Sequence, residues 1–312
     1  MSQPAGGRQY LTGAFIRHYA YRDGNSVLSA PVDLGNDTQI GLVPDWMRQS
    51  KVIPEFGKAE VEDIQAARLA LWTESGSATR SDLQSRGDSL RLANLALWIA
   101  NPTHLSFEFV LESEGPSGTR STCGPIRVQP LLTWEASNAS SLSLLDMRKA
   151  RSINMAIGQV PKSSPLWTGI RVSWAALTQA QELWDTRFLL LWVAIEALFG
   201  VEDRKKNITE RRKARLAKFL AATENKGLCE LKKMTDTSYG WRNKIAHGRI
   251  VNMEDSESIE VMRQTEWMLR NSLGGVLADE SLIKTFAAAD SLDKYLHKLT
   301  EFFRQLPAVS AL

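Results

Sequence analysis

The feature that most constrains this chain is a change of hydrophobic period near residue 165. From Ala175 to Gly200 the residues Leu177, Trp184, Phe188, Leu191, Ile195 and Leu198 fall mostly at alternating three- and four-residue steps. That spacing lays one apolar stripe along a helix and calls for another helix to cover it. Strand signals do not return after it. Asn207 with Glu210 three residues on has the form of a capping box, opening a short basic helix that runs to Ala222. Lys226–Met234 reads as helix. Ser256–Leu277 reads as a long amphipathic helix with Val261, Thr265, Met268, Leu269, Ser272 and Val276 on one side, and Ser291–Leu306 closes the chain. Residues 170–312 are therefore predicted to form an all-helical bundle.

Upstream the pattern differs. Gly, Pro, Asn and Asp punctuate residues 1–57, as at Asp23-Gly24-Asn25 and Leu34-Gly35-Asn36-Asp37, which predicts short strands and loops. From Lys58, Val61, Ile64, Ala67/Arg68 and Leu71/Trp72 recur at helical steps until Ser75-Gly76-Ser77 breaks the run. A second helix is predicted over Ser81–Ala100, ended by Asn101-Pro102. Leu105, Phe107, Phe109 and Leu111 alternate with polar residues, the signature of a half-buried strand. Ile126–Trp134 is a weaker strand candidate, which Pro130 would confine to an edge. Ser141–Ile157 reads as helix. Residues 1–160 are thus expected to be an α+β domain, and the Pro- and Ser-rich stretch at 161–169 a linker to the bundle.

At 312 residues the chain is long enough for about two such domains. Its 43% hydrophobic and 23% charged content excludes wholesale disorder. The formal charge of +3 is unremarkable in total but uneven in place. Residues 174–250 hold fifteen Lys and Arg against nine Asp and Glu, so the remainder is net negative. Arg204, Lys205, Lys206, Arg211, Arg212, Lys213, Arg215 and Lys218 crowd together with Glu210 as the one acid among them. Such a run is either a solvated helix face or a surface for phosphates. Arg211, Arg212 and Arg215 are expected to share a face. Lys232, Lys233, Lys244 and Arg249 offer a second basic surface.

Other function classes find little support. Cys123 and Cys229 lie too far apart for a zinc spacing and give no disulfide framework, which suits a reducing cytosol. The N-terminus has no apolar signal core, and the longest apolar run, Phe188–Phe199, is interrupted by Glu196 and falls short of the roughly 18 residues a bilayer span needs. A soluble cytoplasmic protein is the expectation. Gly6-Gly7 and Gly274-Gly275 lack the context of a phosphate loop, and His18, His104 and His297 have no acid or cysteine at ligand spacing. No metal and no cofactor is expected.

The sharp local signal is Trp241-Arg242-Asn243-Lys244-Ile245-Ala246-His247-Gly248. Histidine can move protons near neutral pH, and arginine can hold a phosphate oxygen and stabilise charge that develops on it. Asn243 can add a hydrogen bond or orient the imidazole. On an ideal helix, residues five apart diverge by about 140°, so one chain would not focus both groups tightly. The alternative is a surface arginine and a histidine at a helix end before Gly248. Glu196, set among apolar neighbours, either pairs with Arg242, supports His247, or forms a purely structural salt bridge, for instance with Arg187.

The pairing of Ala194-Ile195-Glu196-Ala197-Leu198-Phe199 with the later Arg242-Asn243-x-x-x-His247-Gly248 resembles the HEPN superfamily, specifically its Apea-like group, over about residues 175–280. The resemblance implies a helical bundle that dimerises and brings two such motifs into one cleft. It also implies a metal-independent endoribonuclease of a toxin, anti-phage or RNA-processing kind, with Arg242, Asn243 and His247 catalytic and Glu196 supporting them. Arg211, Arg212, Arg215 and Lys244 would meet RNA. Other members of the superfamily are inactive dimerisation and binding modules, which is the alternative expectation.

Overall fold

The computed structural model describes residues 10–17, 20–21, 30–48, 67–75, 80–102, 106–114, 121–122, 141–178, 183–200, 207–248 and 256–305, with four single positions between 58 and 65. The chain divides into two compact units, with the boundary between Gly158 and Gln159. The first is α+β and the second is an all-α bundle.

In the first unit the strands are β1 (Tyr10–Arg17), β2 (Ala20–Tyr21), β3 (Val32–Gly35), β4 (Thr38–Leu42), β5 (Leu69–Ser75), β6 (Ser106–Glu114), β7 (Ser121–Thr122) and β8 (Ser141–Leu142). Six of them make an antiparallel sheet in the order β3-β4-β5-β1-β6-β7, while β2 and β8 form a short parallel pair. The helices are α1 (Asp45–Arg48), α2 (Arg80–Ala100) and α3 (Leu144–Gln159). The strand expected around 105–112 is β6. The expected helix over 81–100 is α2, whose residues from Ala93 to Ala100 are buried on every side. The candidate strand at 126–134 lies outside the described residues.

One expectation is overturned here. The helical steps from Lys58 do not reach Trp72, because Leu69–Ser75 is the central strand β5. It pairs with β4 from Leu42↔Leu69 to Thr38↔Thr73 and with β1 from Ile16↔Leu69 to Tyr10↔Ser75. Leu69 to Thr73 are all buried. A strand covered on both faces is apolar without alternation, and a short apolar run cannot be told from a buried helix by period alone.

The β3–β4 turn is held by α3. Gly35, Asn36 and Asp37 all have positive φ, at 77°, 51° and 57°. Asn154 Nδ2 donates to the carbonyls of Leu34 and Gly35 at 3.0 and 3.1 Å, and Asn36 Nδ2 donates back to the Asn154 carbonyl at 2.7 Å. A Cβ on Gly35 would meet Met155 Cγ at 2.5 Å, so the close approach of helix and turn requires glycine there.

The second unit contains α4 (Pro165–Leu177), α5 (Trp184–Phe199), α6 (Ile208–Thr223), α7 (Leu228–Ala246), α8 (Ser256–Leu277), α9 (Glu280–Ala287) and α10 (Ala289–Gln305). The stretch expected as a linker instead starts α4. Ser164 caps it by accepting from the Trp167 amide at 3.1 Å, and Pro165 occupies the first turn, where its missing N–H costs nothing. The continuous helix expected over 175–200 is broken, since Ala175 and Leu177 end α4 and α5 starts afresh at Trp184. The expected capping box fails as well. Asn207 sits in the left-handed region and its side chain caps nothing, while Glu210 pairs with Lys213 at 2.8 Å.

Helices α4 and α5 pack closely, since a Cβ on Gly169 would meet Leu198 Cδ2 at 2.9 Å. Phe188, Leu191, Ile195 and Leu198, the apolar stripe expected to need a covering helix, are buried inside the bundle. Phe286 meets Phe199 and Phe219 edge to face at 5.9 and 5.5 Å, and the tilted Phe199–Phe219 pair at 5.5 Å completes a cluster that ties α5, α6 and α9 together. Across α5 and α8, Arg187 and Glu266 form a fully buried ion pair at 2.5 Å. Among the described residues, no helix is long and apolar enough to cross a membrane.

Candidate functional site

The motif rides on the last turn of α7. The expected helix from Lys226 to Met234 runs on to Ala246, because Leu231, Thr235, Ser238, Tyr239, Trp241 and Ile245 keep an apolar or small face against the bundle. A directed chain of hydrogen bonds fixes the height of this helix. Trp192 Nε1 on α5 donates to Ser238 Oγ at 3.0 Å. Ser238 Oγ lies 2.5 Å from Thr265 Oγ1 on α8, which donates to the Val261 carbonyl at 2.7 Å. A one-residue slip of α7 would orphan each buried group in turn.

One turn beyond Ser238 stands Arg242. Its Nη2 is 3.6 Å from Glu196 Oε1, and its guanidinium lies 5.6 Å from the centre of the Tyr239 ring. Glu196 Oε2 also faces Arg212 Nη1 on α6 at 3.4 Å. Three helices thus bring two guanidiniums to one carboxylate. Of the readings open for Glu196 in the sequence, pairing with Arg242 is the one observed, with Arg212 as a second partner; Arg187 pairs elsewhere. The trio is matched in charge better than in hydrogen bonds, because Glu196 Oε1 and Arg212 Nε are buried with no hydrogen-bond partner. Asn243 is half-buried, and its Oδ1 receives a long contact of 3.5 Å from Arg242 Nη1.

The chain leaves the helix at His247. Its amide donates to the Asn243 carbonyl at 3.1 Å, and Gly248, at φ 71°, donates to the Ile245 carbonyl at 2.9 Å. This is a glycine-terminated helix end, and it holds His247 exposed at the C-cap. Lys244 is exposed on the same turn, with its Nζ 5.2 Å over the Trp241 ring.

The basic run is less available than its composition suggests. The shared face expected for Arg211, Arg212 and Arg215 is corrected by the packing of α6. Arg215 is buried, donates to the Gly200 carbonyl at 2.9 Å and pairs with Asp293 of α10. Arg212 turns to Glu196, leaving Arg211 exposed. Lys213 reaches Asp236 at 2.7 Å as well as Glu210. Burial lowers its ammonium pKa, but hydrogen bonds to both carboxylates outweigh burial and raise it above the ordinary lysine value. Arg204, Lys205, Lys206 and Arg249 lie outside the described residues, as do His18 and His104. His297 is exposed beside Glu301.

The sequence reading missed the roles of Tyr239 and of the Trp192–Ser238–Thr265 chain. Their signal was present in part, since Ser238 and Thr265 are hydroxyl residues on the buried stripes of two helices. In comparison with known proteins, no family model, no curated protein and no solved structure matches this chain.

Proposed function

We propose that the helical unit is a metal-independent endoribonuclease of the HEPN type, with Arg242, Asn243 and His247 as its catalytic groups. The observation that carries this reading is the contrast between two residues five positions apart at the end of α7. Arg242 is held in place from α5 by Glu196, while His247 stands exposed at the helix end. A positioned guanidinium and an accessible imidazole are what phosphodiester transesterification needs.

In that reaction the ribose 2′-oxygen attacks its neighbouring phosphorus and the 5′-oxygen leaves, giving a 2′,3′-cyclic phosphate and a 5′-hydroxyl. One proton leaves the 2′-hydroxyl and one reaches the departing oxygen. His247 serves one transfer, and the same residue of a second copy serves the other. Arg242 stabilises the charge on the phosphoryl oxygens, and Asn243 orients the guanidinium. DNA, without the 2′-hydroxyl, resists. The half-exposed apolar row Leu189, Leu190, Val193 and Ala197 beside Glu196 supports a homodimer through α5, with Val193 44% exposed.

One observation favours a second reading. Arg242 is engaged by Glu196 and Tyr239 inside its own chain, as it would be in an inactive dimerisation and RNA-binding module. Incubation of wild type and His247→Ala with total RNA in EDTA, followed by end-group analysis, separates the two. Cyclic-phosphate ends formed by wild type alone support the nuclease. Equal products, or none, overturn it.

A further inference from the structure

We infer that the groove between α7 and α8 is a nucleobase subsite for single-stranded RNA, with Trp267 as its stacking platform; the inference rests on RNA being what the helical unit binds. The groove encloses about 660 Å³. That is far more than a gap between side chains and falls within the size range of ligand pockets. Its apolar lining comes from Met234, Val261 and Trp267.

The charges around it point to the kind of occupant. Lys226, Lys233 and Arg263 face Glu230, Glu257 and Glu260, so the two signs balance. A phosphate placed inside would meet as much repulsion as attraction. A flat, neutral ring with amine donors and ring-nitrogen acceptors can use both signs. Gln264 Nε2 donates to Glu260 Oε1 at 3.0 Å, and its amide carbonyl remains an acceptor for an exocyclic amine. The bases therefore enter the groove and the backbone stays outside it.

Trp267 is half-buried, and a flexible lysine side chain lies over its ring. Lys226 Nζ lies 5.4 Å from the ring centre and pairs with Glu230 at 2.5 Å. A base that takes this place exchanges a cation–π contact for stacking and frees the ammonium to meet the adjoining phosphate.

The groove also shares α7 with the candidate site. Glu230, Met234 and Thr237 occupy one row of α7, and Trp241 and Lys244 continue it at helical spacing. His247 lies at the end of the same helix, about 100° round from this row and about 20 Å along the axis from Lys233. A strand reading its base at Trp267 runs past Lys244 before it reaches His247, so the subsite selects sequence several nucleotides from the cut.

The test uses the full chain, with cleavage blocked by His247→Ala for binding work. A labelled single-stranded oligoadenylate is titrated in EDTA against chains carrying Trp267, Trp267→Leu or Trp267→Phe. We expect Trp267→Leu to raise Kd roughly tenfold, within the range known for base–aromatic stacking, and Trp267→Phe to restore most of it. An abasic oligomer should bind weakly and be indifferent to residue 267. Thermal melts confirm that each variant is folded. Unchanged binding by a folded Trp267→Leu chain overturns the subsite. If that variant also shows a smaller oligomer by light scattering, the groove belongs to a second copy instead. Cleavage of total RNA by the His247 chain with no dependence on Trp267 overturns the subsite alone. Trp267-dependent binding without cleavage overturns the nuclease alone. A chain that binds no single-stranded RNA overturns both.

Discussion

Arg242 on α7 reaches Glu196 on α5 at 3.6 Å, 46 positions earlier in the chain, and Glu196 holds Arg212 of α6 at the same time. The carboxylate is 18% exposed, which makes it a shared counter-charge rather than a surface ornament. Glu196→Gln leaves two guanidiniums against a neutral amide. The expected cost is about 1 kcal/mol of stability, together with a fall in kcat as Arg242 loses its anchor. Denaturant melts and RNA cleavage on the same preparation check both. A stable variant with full activity removes Glu196 from the site.

His247 and Arg242 should separate stability from rate. His247 is exposed at the C-cap, so His247→Ala is expected to change stability by less than about 0.5 kcal/mol. Its expected loss of cleavage is about 10²- to 10⁴-fold. Arg242→Lys keeps the charge but not the planar fork, so it should recover little activity. A His247→Ala chain that melts well below wild type would make the residue structural.

Arg211 and Arg215 test how far a basic run can be read as a surface. Arg211 is exposed and Arg215 is buried against Asp293 and the end of α5. Arg215→Gln should cost about 1.5–3 kcal/mol, the range of a hydrogen bond to a charged group. Arg211→Gln should leave stability unchanged and reduce the salt dependence of RNA binding. Melting curves and binding isotherms at two salt concentrations distinguish them.

The buried pair Arg187–Glu266 makes a different demand on the bundle. Neither side chain is more than 1% exposed, and Arg187 Nε and Nη1 have no hydrogen-bond partner. Removing one member strands a charge, so Arg187→Met alone should cost about 3–5 kcal/mol. Replacing both members with apolar residues should cost much less. A double-mutant cycle by chemical denaturation measures the difference.

What the sequence disclosed follows the physics of each signal. Long amphipathic helices were legible because their period repeats many times, as in Ser256–Leu277, whose bounds match α8 residue for residue. Leu69–Ser75 was not, because a central strand buried from Leu69 to Thr73 loses the alternation that marks strands. Pro161, Ser163, Ser164 and Pro165 resembled a linker because the residues that cap a helix are those that populate loops. At the candidate site, Arg242 with Glu196 was among the open readings, since motif and helix stood out locally. The turn of Arg215 into the core was hidden, because its partner Asp293 lies 78 residues away. Nothing in the local spacing of α6 reports which of its basic residues another helix will cover.

Asp33 supplies a prediction for the first unit. Its Oδ1 accepts from the Gly35 amide at 2.7 Å, and its Oδ2 accepts from Arg151 Nε at 3.0 Å. The backbone hydrogen bond from Gly35 is the largest cause that lowers its pKa below the ordinary aspartate value; slight burial opposes it, and Arg151 adds to the lowering. A carboxylate whose folded pKa is depressed contributes stability above its unfolded pKa and loses it as pH falls through the folded one. The β3–β4 turn, with three successive residues at positive φ, should therefore loosen in acid, below about pH 4. Hydrogen exchange at the Gly35 amide, followed as pH is lowered and corrected for the intrinsic exchange rate, reads this directly. In Asp33→Asn the acid-dependent part of that opening should disappear. Protection of Gly35 that stays constant through the titration of Asp33 would show that Asn154 and Asn36 hold the turn without the carboxylate.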